Sequence, residues 1–255
     1  MLEKYLDRID VARTDLAADL PGLRSLQRQH LLTVPFENLD IHWKRPIVVD
    51  AERFYSKIVE EGRGGFCYEL NGAFNDLLRA VGFETRLVSA RVHMGDGRFG
   101  PEYDHAAIIV SVDGREYLAD VGFGDFIAEP LRFELDAEQL DREGTFVIRR
   151  SDEEGYFEVA KKVGDTWAPE YIFKPEGREL DEFAEMCDFQ QFSPESHFTK
   201  GKVCSLMTAD GRKTLTDKKF IVTSNGEKTE IEVGSDEEFD RILGREFGIK
   251  NFFTA

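Results

Sequence analysis

Apolar positions fall into two regimes along the chain. Over residues 1–82 they recur with a helical period. Leu2, Tyr5, Leu6 and Ile9 share one face, and Leu23, Leu26, His30 and Leu31 repeat the spacing after Pro21-Gly22. Asp50 is placed to cap a helix through Ile58 that stops at Gly62. A third helix is predicted from near Phe66, with Leu70, Phe74, Leu77, Leu78 and Val81 as its apolar positions and Gly82 at its end. Beyond residue 83 the pattern shortens. FETRLVSARV, HAAIIVSV, EYLADVGF, GTFVIRR and GYFEVAKKV read as strands. The turns between them carry Gly95-Asp96-Gly97, Asp113-Gly114, Gly155 and Gly164-Asp165. This spacing predicts an antiparallel sheet or barrel. KPEGRELDEF reads as a connection or short helix. VCSLMTAD, GRKTLTDKKFIVTS and EKTEIEV return to strand, and EEFDRILGREFG closes the chain as a helix. The expected class is α+β.

Composition narrows the function. At roughly 100–200 residues per domain, 255 residues make one large domain or two to three small ones. Hydrophobic residues at 41% and charged residues at 33% describe an ordinary folded protein. No apolar run is long enough to span a bilayer, and the acidic N-terminus lacks the core of a secretory signal, so neither is expected. Lys+Arg 33 against Asp+Glu 50 gives a net charge of −17, which argues against nucleic acid or an anionic membrane as partner. The three cysteines contain no CxxC pair. That speaks against a disulfide framework, structural zinc or thioredoxin-type chemistry, and predicts reduced thiols in a cytoplasm. The 21 phenylalanines suit a large core and an aromatic-lined pocket.

Candidate chemistry begins at Arg63-Gly64-Gly65-Phe66-Cys67. The glycines permit a tight turn, and Cys67 falls in the first turn of the predicted helix. Free N–H groups and the helix dipole favour an anion there, so the site is expected to lower the thiol pKa and to offer donors to an oxyanion. Cys187 and Cys204 lack such a setting and read as structural. A nucleophilic cysteine needs a base, and the base an orienting group. If Asp113-Gly114 is a two-residue hairpin turn, Val112 pairs with Arg115, Ala107 faces Asp120 and His105 faces Gly122. His105 and Asp120 then lie diagonally on one face, about 7–8 Å apart at Cα. The expected contact is imidazole Nδ1–H to carboxylate, with the other nitrogen toward the thiol.

Several segments together resemble the arylamine N-acetyltransferase family. Pro35-Phe36-Glu37-Asn38-Leu39 is similar to its PFENL motif, and residues 63–67 to its RGGFC nucleophile motif. Asp104-His105 and Asp120-Val121-Gly122-Phe123-Gly124 resemble its histidine and aspartate segments at the required intervals. Residues 192–199, with Cys204-Ser205-Leu206 after them, resemble its SPxSxF segment. The resemblance implies a Cys67–His105–Asp120 triad in a cysteine-protease-like fold of three regions. These are a helical bundle (1–82), an antiparallel β-barrel (83–185) and a connection with an α/β lid (186–255). It also implies acetyl-CoA as donor, no permanently bound cofactor or metal, an arylamine or arylhydrazine acceptor, ping-pong transfer and a place in xenobiotic metabolism.

By the same resemblance, Gly122, Gly124, Ser193 and Ser196 are carried over as donor-binding positions. Phe36 and Phe123 become pocket-lining residues, and Glu37 with Arg63 a buried pair behind the nucleophile. Phe189 and Glu195 depart from the residues of some relatives near CoA, and Asp125 and Ile127 fall at variable acceptor positions. Arg98, Lys200 and Lys202 are the cations expected to offset the acidic chain. The alternative reading keeps the triad and makes the protein a cysteine peptidase, a transglutaminase-like enzyme or an amide synthase. Oligomeric state is not readable from the sequence.

Overall fold

The computed structural model describes residues 1–251. Its first region holds α1 (Leu2–Arg8), α2 (Leu20–Thr33), the short strand β1 (Phe36–Glu37), α3 (Leu39–His42), α4 (Ala51–Tyr55) and α5 (Cys67–Val81). Local chemistry sets several of these boundaries. Asp19 and Asp50 accept the Gly22 and Arg53 N–H groups at the starts of α2 and α4, satisfying amides that a first turn leaves unpaired. After Tyr55 the chain widens into a π-turn over Ser56–Glu60, so the predicted helix through Ile58 is one short α-helix followed by π geometry. α5 ends on left-handed Gly82, as expected.

The second region is all strand: β2 (Glu84–Val92), β3 (His105–Val112), β4 (Arg115–Ala119), β5 (Leu131–Arg132), β6 (Gln139–Asp141), β7 (Gly144–Arg150), β8 (Phe157–Val163) and β9 (Thr166–Phe173). They form one antiparallel sheet in the order β5-β4-β3-β2-β9-β8-β7-β6. The two edges meet through a side chain. Gln139 on β6 accepts Arg132 N–H at 2.7 Å and donates to Arg132 O at 2.9 Å on β5. An amide thus stands in for the missing ladder, and the sheet is a nearly closed barrel. β3 is apolar without alternation because both faces are buried. Ala106, Ile108, Val110 and Val112 pack on the helices, while Ala107 and Ile109 face the barrel core. The helical region and the barrel therefore share one hydrophobic core.

The Asp113-Gly114 turn gives the expected register, Val112 opposite Arg115 and Ile108 opposite Ala119. The ladder stops at Ala119, earlier than the run EYLADVGF suggested. Asp120 turns its carboxylate back onto Gly122 N–H and starts a loop. β9 is an addition to the predicted strands. Pro169 breaks its pattern, and a register shift at Val159/Ala160 accommodates it.

After a 3₁₀ turn at Leu180–Phe183 come α6 (Ala184–Phe192), β10 (Val203–Thr208), β11 (Gly211–Thr216), β12 (Lys219–Ser224), β13 (Glu227–Glu232) and α7 (Asp236–Phe247). GRKTLTDKKFIVTS is two strands rather than one. The second sheet runs β1-β10-β11-β12-β13, with Phe36 opposite Ser205 and Glu37 opposite Cys204. The earliest strand thus joins the last region. Phe239, Ile242, Leu243 and Phe247 of α7 cover this sheet over Leu215 and Phe220.

Candidate active site

Three segments converge on one cavity of about 1250 Å³. Cys67 opens α5 and lines it. The turn before it is held against β1, where Glu37 N–H donates to Gly65 O (2.8 Å) and Gly65 N–H to Pro35 O (3.3 Å). A Cβ on Gly64 would lie 1.9 Å from Pro35 O, so only glycine admits this approach. Phe66, at the cap position, has no side-chain acceptor, and the first amides of α5 take none from it.

His105, the first residue of β3, and Asp120, just past β4, are both 2% exposed. His105 meets Asp120 Oδ2 at 2.7 Å through Nε2. The expected face-sharing holds, with the ring nitrogens exchanged. Nε2 is the nitrogen engaged by the carboxylate, which leaves Nδ1 free of it.

The aspartate is held by Gly122, which the resemblance had assigned to the donor, and by two groups the sequence did not single out, Asn71 and Tyr171. Asn71 Nδ2 and Gly122 N–H donate to Oδ1 (2.8 and 2.9 Å), and Tyr171 O–H to Oδ2 (3.2 Å). Asn71 also donates to Ala106 O (2.6 Å) and accepts Val121 N–H (2.9 Å), tying α5 to both barrel segments. Its signal was present: Asn71 follows Cys67 by four residues, on the same helical face. Gly122 is pressed onto the nucleophile. A Cβ there would lie 2.8 Å from Cys67 Cα and 2.7 Å from Asn71 Nδ2.

The expected lowering of the Cys67 pKa is corrected. Burial pushes the thiol well above its ordinary value, hydrogen bonding to the Ala106 backbone opposes this, and the Asp104 carboxylate adds to the rise. Desolvation outweighs a helix-end effect worth about 0.3–1 kcal/mol. The isolated thiol is therefore not acidic, and its anion needs a cation beside it.

The remaining expected residues separate. Phe36 and Phe123 line the cavity, with the Phe123 ring 5.0 Å from the His105 ring. Phe189, Glu195, Lys200 and Lys202 line it too. Ser196 lines it, but its hydroxyl donates to Gln190 Oε1 (2.6 Å) and accepts Phe198 N–H, so it organises its own loop. Ser193 and Gly124 are not lining residues. Ser193 Oγ accepts Glu195 N–H, and Gly124 serves a left-handed bend. Arg98 pairs with Asp96 on the surface and is not itself a lining residue, and Ile127 is packed in the barrel core. Asp125 faces Arg212 of β11 at 3.5 Å.

Behind the nucleophile turn, Arg63 meets Glu37 Oε1 at 2.6 Å and Asp40 Oδ1 at 2.9 Å, all three buried. The expected pair is part of a larger ionic group. Among the described residues, no set of three or more His, Cys, Asp or Glu side chains is arranged to hold a metal.

Comparison with known proteins places this geometry. The N-acetyltransferase family model matches residues 19–251. An arylamine N-acetyltransferase of Mycolicibacterium smegmatis is 32% identical over 238 residues, 91% of this chain and 86% of the relative. The crystal structure of an arylamine N-acetyltransferase from Bacillus cereus, described as having a unique Cys-His-Glu catalytic triad, matches with a TM-score of 0.90 at 28% identity, covering 98% of each chain. The Mycobacterium marinum arylamine N-acetyltransferase in complex with CoA matches with a TM-score of 0.87 at 28% identity, over 98% of this chain and 93% of that one. A buried cysteine, histidine and carboxylate on this scaffold, matched along nearly its whole length, make the chain a member of the arylamine N-acetyltransferase family and an acyltransferase.

Proposed function

We propose that this protein moves an acetyl group from acetyl-CoA to arylamines and arylhydrazines in two half-reactions through Cys67. The observation that carries the reading is the cavity itself, which joins Cys67 and His105 at its buried end to exposed lysines at its rim. Asp120 holds Nε2–H, so Nδ1 accepts the thiol proton as Sγ attacks the acetyl carbonyl. The thiolate forms opposite an imidazolium, which supplies the cation that the buried site demands. The first-turn N–H groups of α5 offer dipoles to the tetrahedral oxyanion. The bond to the CoA sulfur then breaks, and CoA leaves with the proton from His105. In the second half the amine nitrogen attacks acetyl-Cys67 and gives its proton to His105, the Sγ–acetyl bond breaks to release the amide, and His105 returns the proton to the Cys67 thiolate. Aryl amines suit this step, since their low basicity leaves them unprotonated near neutrality.

Among the described residues, Lys200 and Lys218 line the cavity and make no salt bridge, which leaves both for the CoA phosphates. Lys202 is committed to Asp217 (3.3 Å) and Asp236 (2.7 Å). The three free thiols suit a cytoplasmic location, and the acceptor class suits disposal of foreign aromatic amines. No helix among the described residues is long and apolar enough to cross a membrane.

Intact-protein mass spectrometry tests the reading. Acetyl-CoA alone should add one acetyl group to Cys67, and an arylamine should remove it. Cys67→Ser should take up none. A folded wild-type protein that is never acetylated would favour the peptidase or amide-forming alternative.

A further inference from the structure

A second polar system lies behind the nucleophile turn, and the triad does not use it. Glu69, two residues after Cys67, accepts Phe66 N–H through Oε2 (3.1 Å) and Lys57 Nζ through Oε1 (2.8 Å). Lys57 also meets Asp40 at 3.0 Å and Glu37 at 3.7 Å. With Arg63 the group holds three carboxylates and two cations, and no side chain in it is more than 6% exposed. Arg45 reaches Asp40 at 4.0 Å but is itself paired with exposed Glu61 at 2.5 Å, so with both counted the fully ionised group still carries one uncompensated negative charge. An unpaired charge out of water is costly, and a single proton removes it. Glu37 and Asp40 are each shared by Arg63 and Lys57, whereas Glu69 has Lys57 alone. Glu69 is therefore the carboxyl that takes the proton. A separate cavity of about 220 Å³ is lined by Glu69, Lys57 and Asp40 together with exposed Arg53 and Glu61. It shares no lining residue with the active-site cavity, so protons reach Glu69 by their own route.

We propose that Glu69 is a positioning residue for the nucleophile: as a carboxylate it pins Phe66 N–H and fixes the turn that delivers Cys67, and on protonation it loosens that hold and slows acylation. Every charged group facing it bears on this equilibrium. Burial raises Glu69 to about 7, Lys57 opposes the rise, and Glu37 and then Asp40 add to it. Against its burial, Lys57 and Arg63 hold the Asp40 carboxyl below its ordinary range. Cys187 faces Glu69 from α6, and burial pushes its thiol up, so it stays neutral through this range.

The inference rests on acetyl transfer at Cys67, and the test separates the two. The acetylation rate is measured by intact mass between about pH 5.5 and about pH 8.5, with iodoacetamide alkylation of Cys67 followed in parallel. The wild type is expected to slow by up to about tenfold per unit below an inflection near neutrality. Glu69→Gln keeps an oxygen for Phe66 N–H and gains no proton, so its profile should lose that inflection. Lys57→Met removes the opposing cation and should move the inflection up by about one unit or more. An unchanged inflection in Glu69→Gln, or no upward shift in Lys57→Met, overturns the proposal, and either variant decides it if the other does not fold. Infrared spectroscopy gives an independent check. A carboxylic acid band that titrates near neutrality should be present in the wild type and absent in Glu69→Gln. Alkylation with the Glu69-dependent profile but no acetylation would count against acetyl transfer and leave Glu69 in its role.

Discussion

Replacing Asn71 by alanine isolates the joint between α5 and the barrel. The variant loses three hydrogen bonds at once: Nδ2 to Ala106 O, Nδ2 to Asp120 Oδ1, and Oδ1 from Val121 N–H. The Ala106 carbonyl and the Val121 amide lose their Asn71 partner in a buried site, at about 1–3 kcal/mol each. A loss of about 4 kcal/mol is expected, within a total stability of about 5–15 kcal/mol, so the protein remains folded. For a chain of this size that lowers the melting temperature by roughly 8–16 °C. Asp120 keeps Gly122 N–H, Tyr171 O–H and His105, so the triad survives with one charge-assisted bond fewer. That bond is worth about 1.5–3 kcal/mol, or roughly tenfold to 150-fold if expressed in the transition state. Thermal denaturation followed by circular dichroism gives the first quantity, and single-turnover acetylation of Cys67 gives the second. A variant that melts within about 2 °C of wild type and acetylates within about twofold would refute the reasoning.

Three further outcomes follow from the same geometry. Asp120→Asn would present an NH2 group to His105 Nε2 and drive the ring proton to Nδ1, the nitrogen that must accept from the thiol. Acetylation should fall by about 10³–10⁴-fold in a folded protein, and a loss under about tenfold would remove the tautomer argument. His105→Asn strips the cation from the buried thiolate, so the alkylation midpoint of Cys67 should rise above the ordinary thiol value of about 8.5. A midpoint at or below that value, from rates of iodoacetamide modification against pH, would show that the helix end suffices. Glu69 binds its proton at about 7 in the folded chain against 4.5 unfolded, so between those values the folded state holds a proton the unfolded state lacks. Stability should fall as pH rises through that window, by on the order of 3 kcal/mol, and Glu69→Gln should lack the decline. Urea denaturation at both ends of the window would contradict this if wild type and variant changed in parallel.

The barrel register was legible because Asp113-Gly114 fixes it locally, and with it the shared face of His105 and Asp120. Which ring nitrogen meets the carboxylate was not, since register does not set how the imidazole is turned. Tyr171 was hidden on β9, whose strand pattern Pro169 interrupts. α6 escaped notice because Phe183 at its start provides no side-chain cap, the usual signal of a beginning. The thiol was misjudged for a physical reason. Sequence places Cys67 at a helix end but does not say how completely tertiary packing removes it from water. The pair Glu37–Arg63 was expected from the family resemblance. Asp40, Lys57 and Glu69 joined it only once α3 and the π-turn had folded against α5.

The two residues of β1 have a consequence for how activity arises during synthesis. One edge of Phe36–Glu37 steadies the glycine turn at Gly65, and the other pairs with Cys204 and Ser205. The turn that presents Cys67 is thus buttressed by a segment whose own partner lies nearly 170 residues later in the chain. A ribosome must release nearly the whole polypeptide before that strand finds its neighbour. Nascent or prematurely terminated chains ending before residue 203 lack the brace, so they would expose the thiol without setting it in place. Completion of the chain thereby becomes a condition for reactivity, enforced by topology alone.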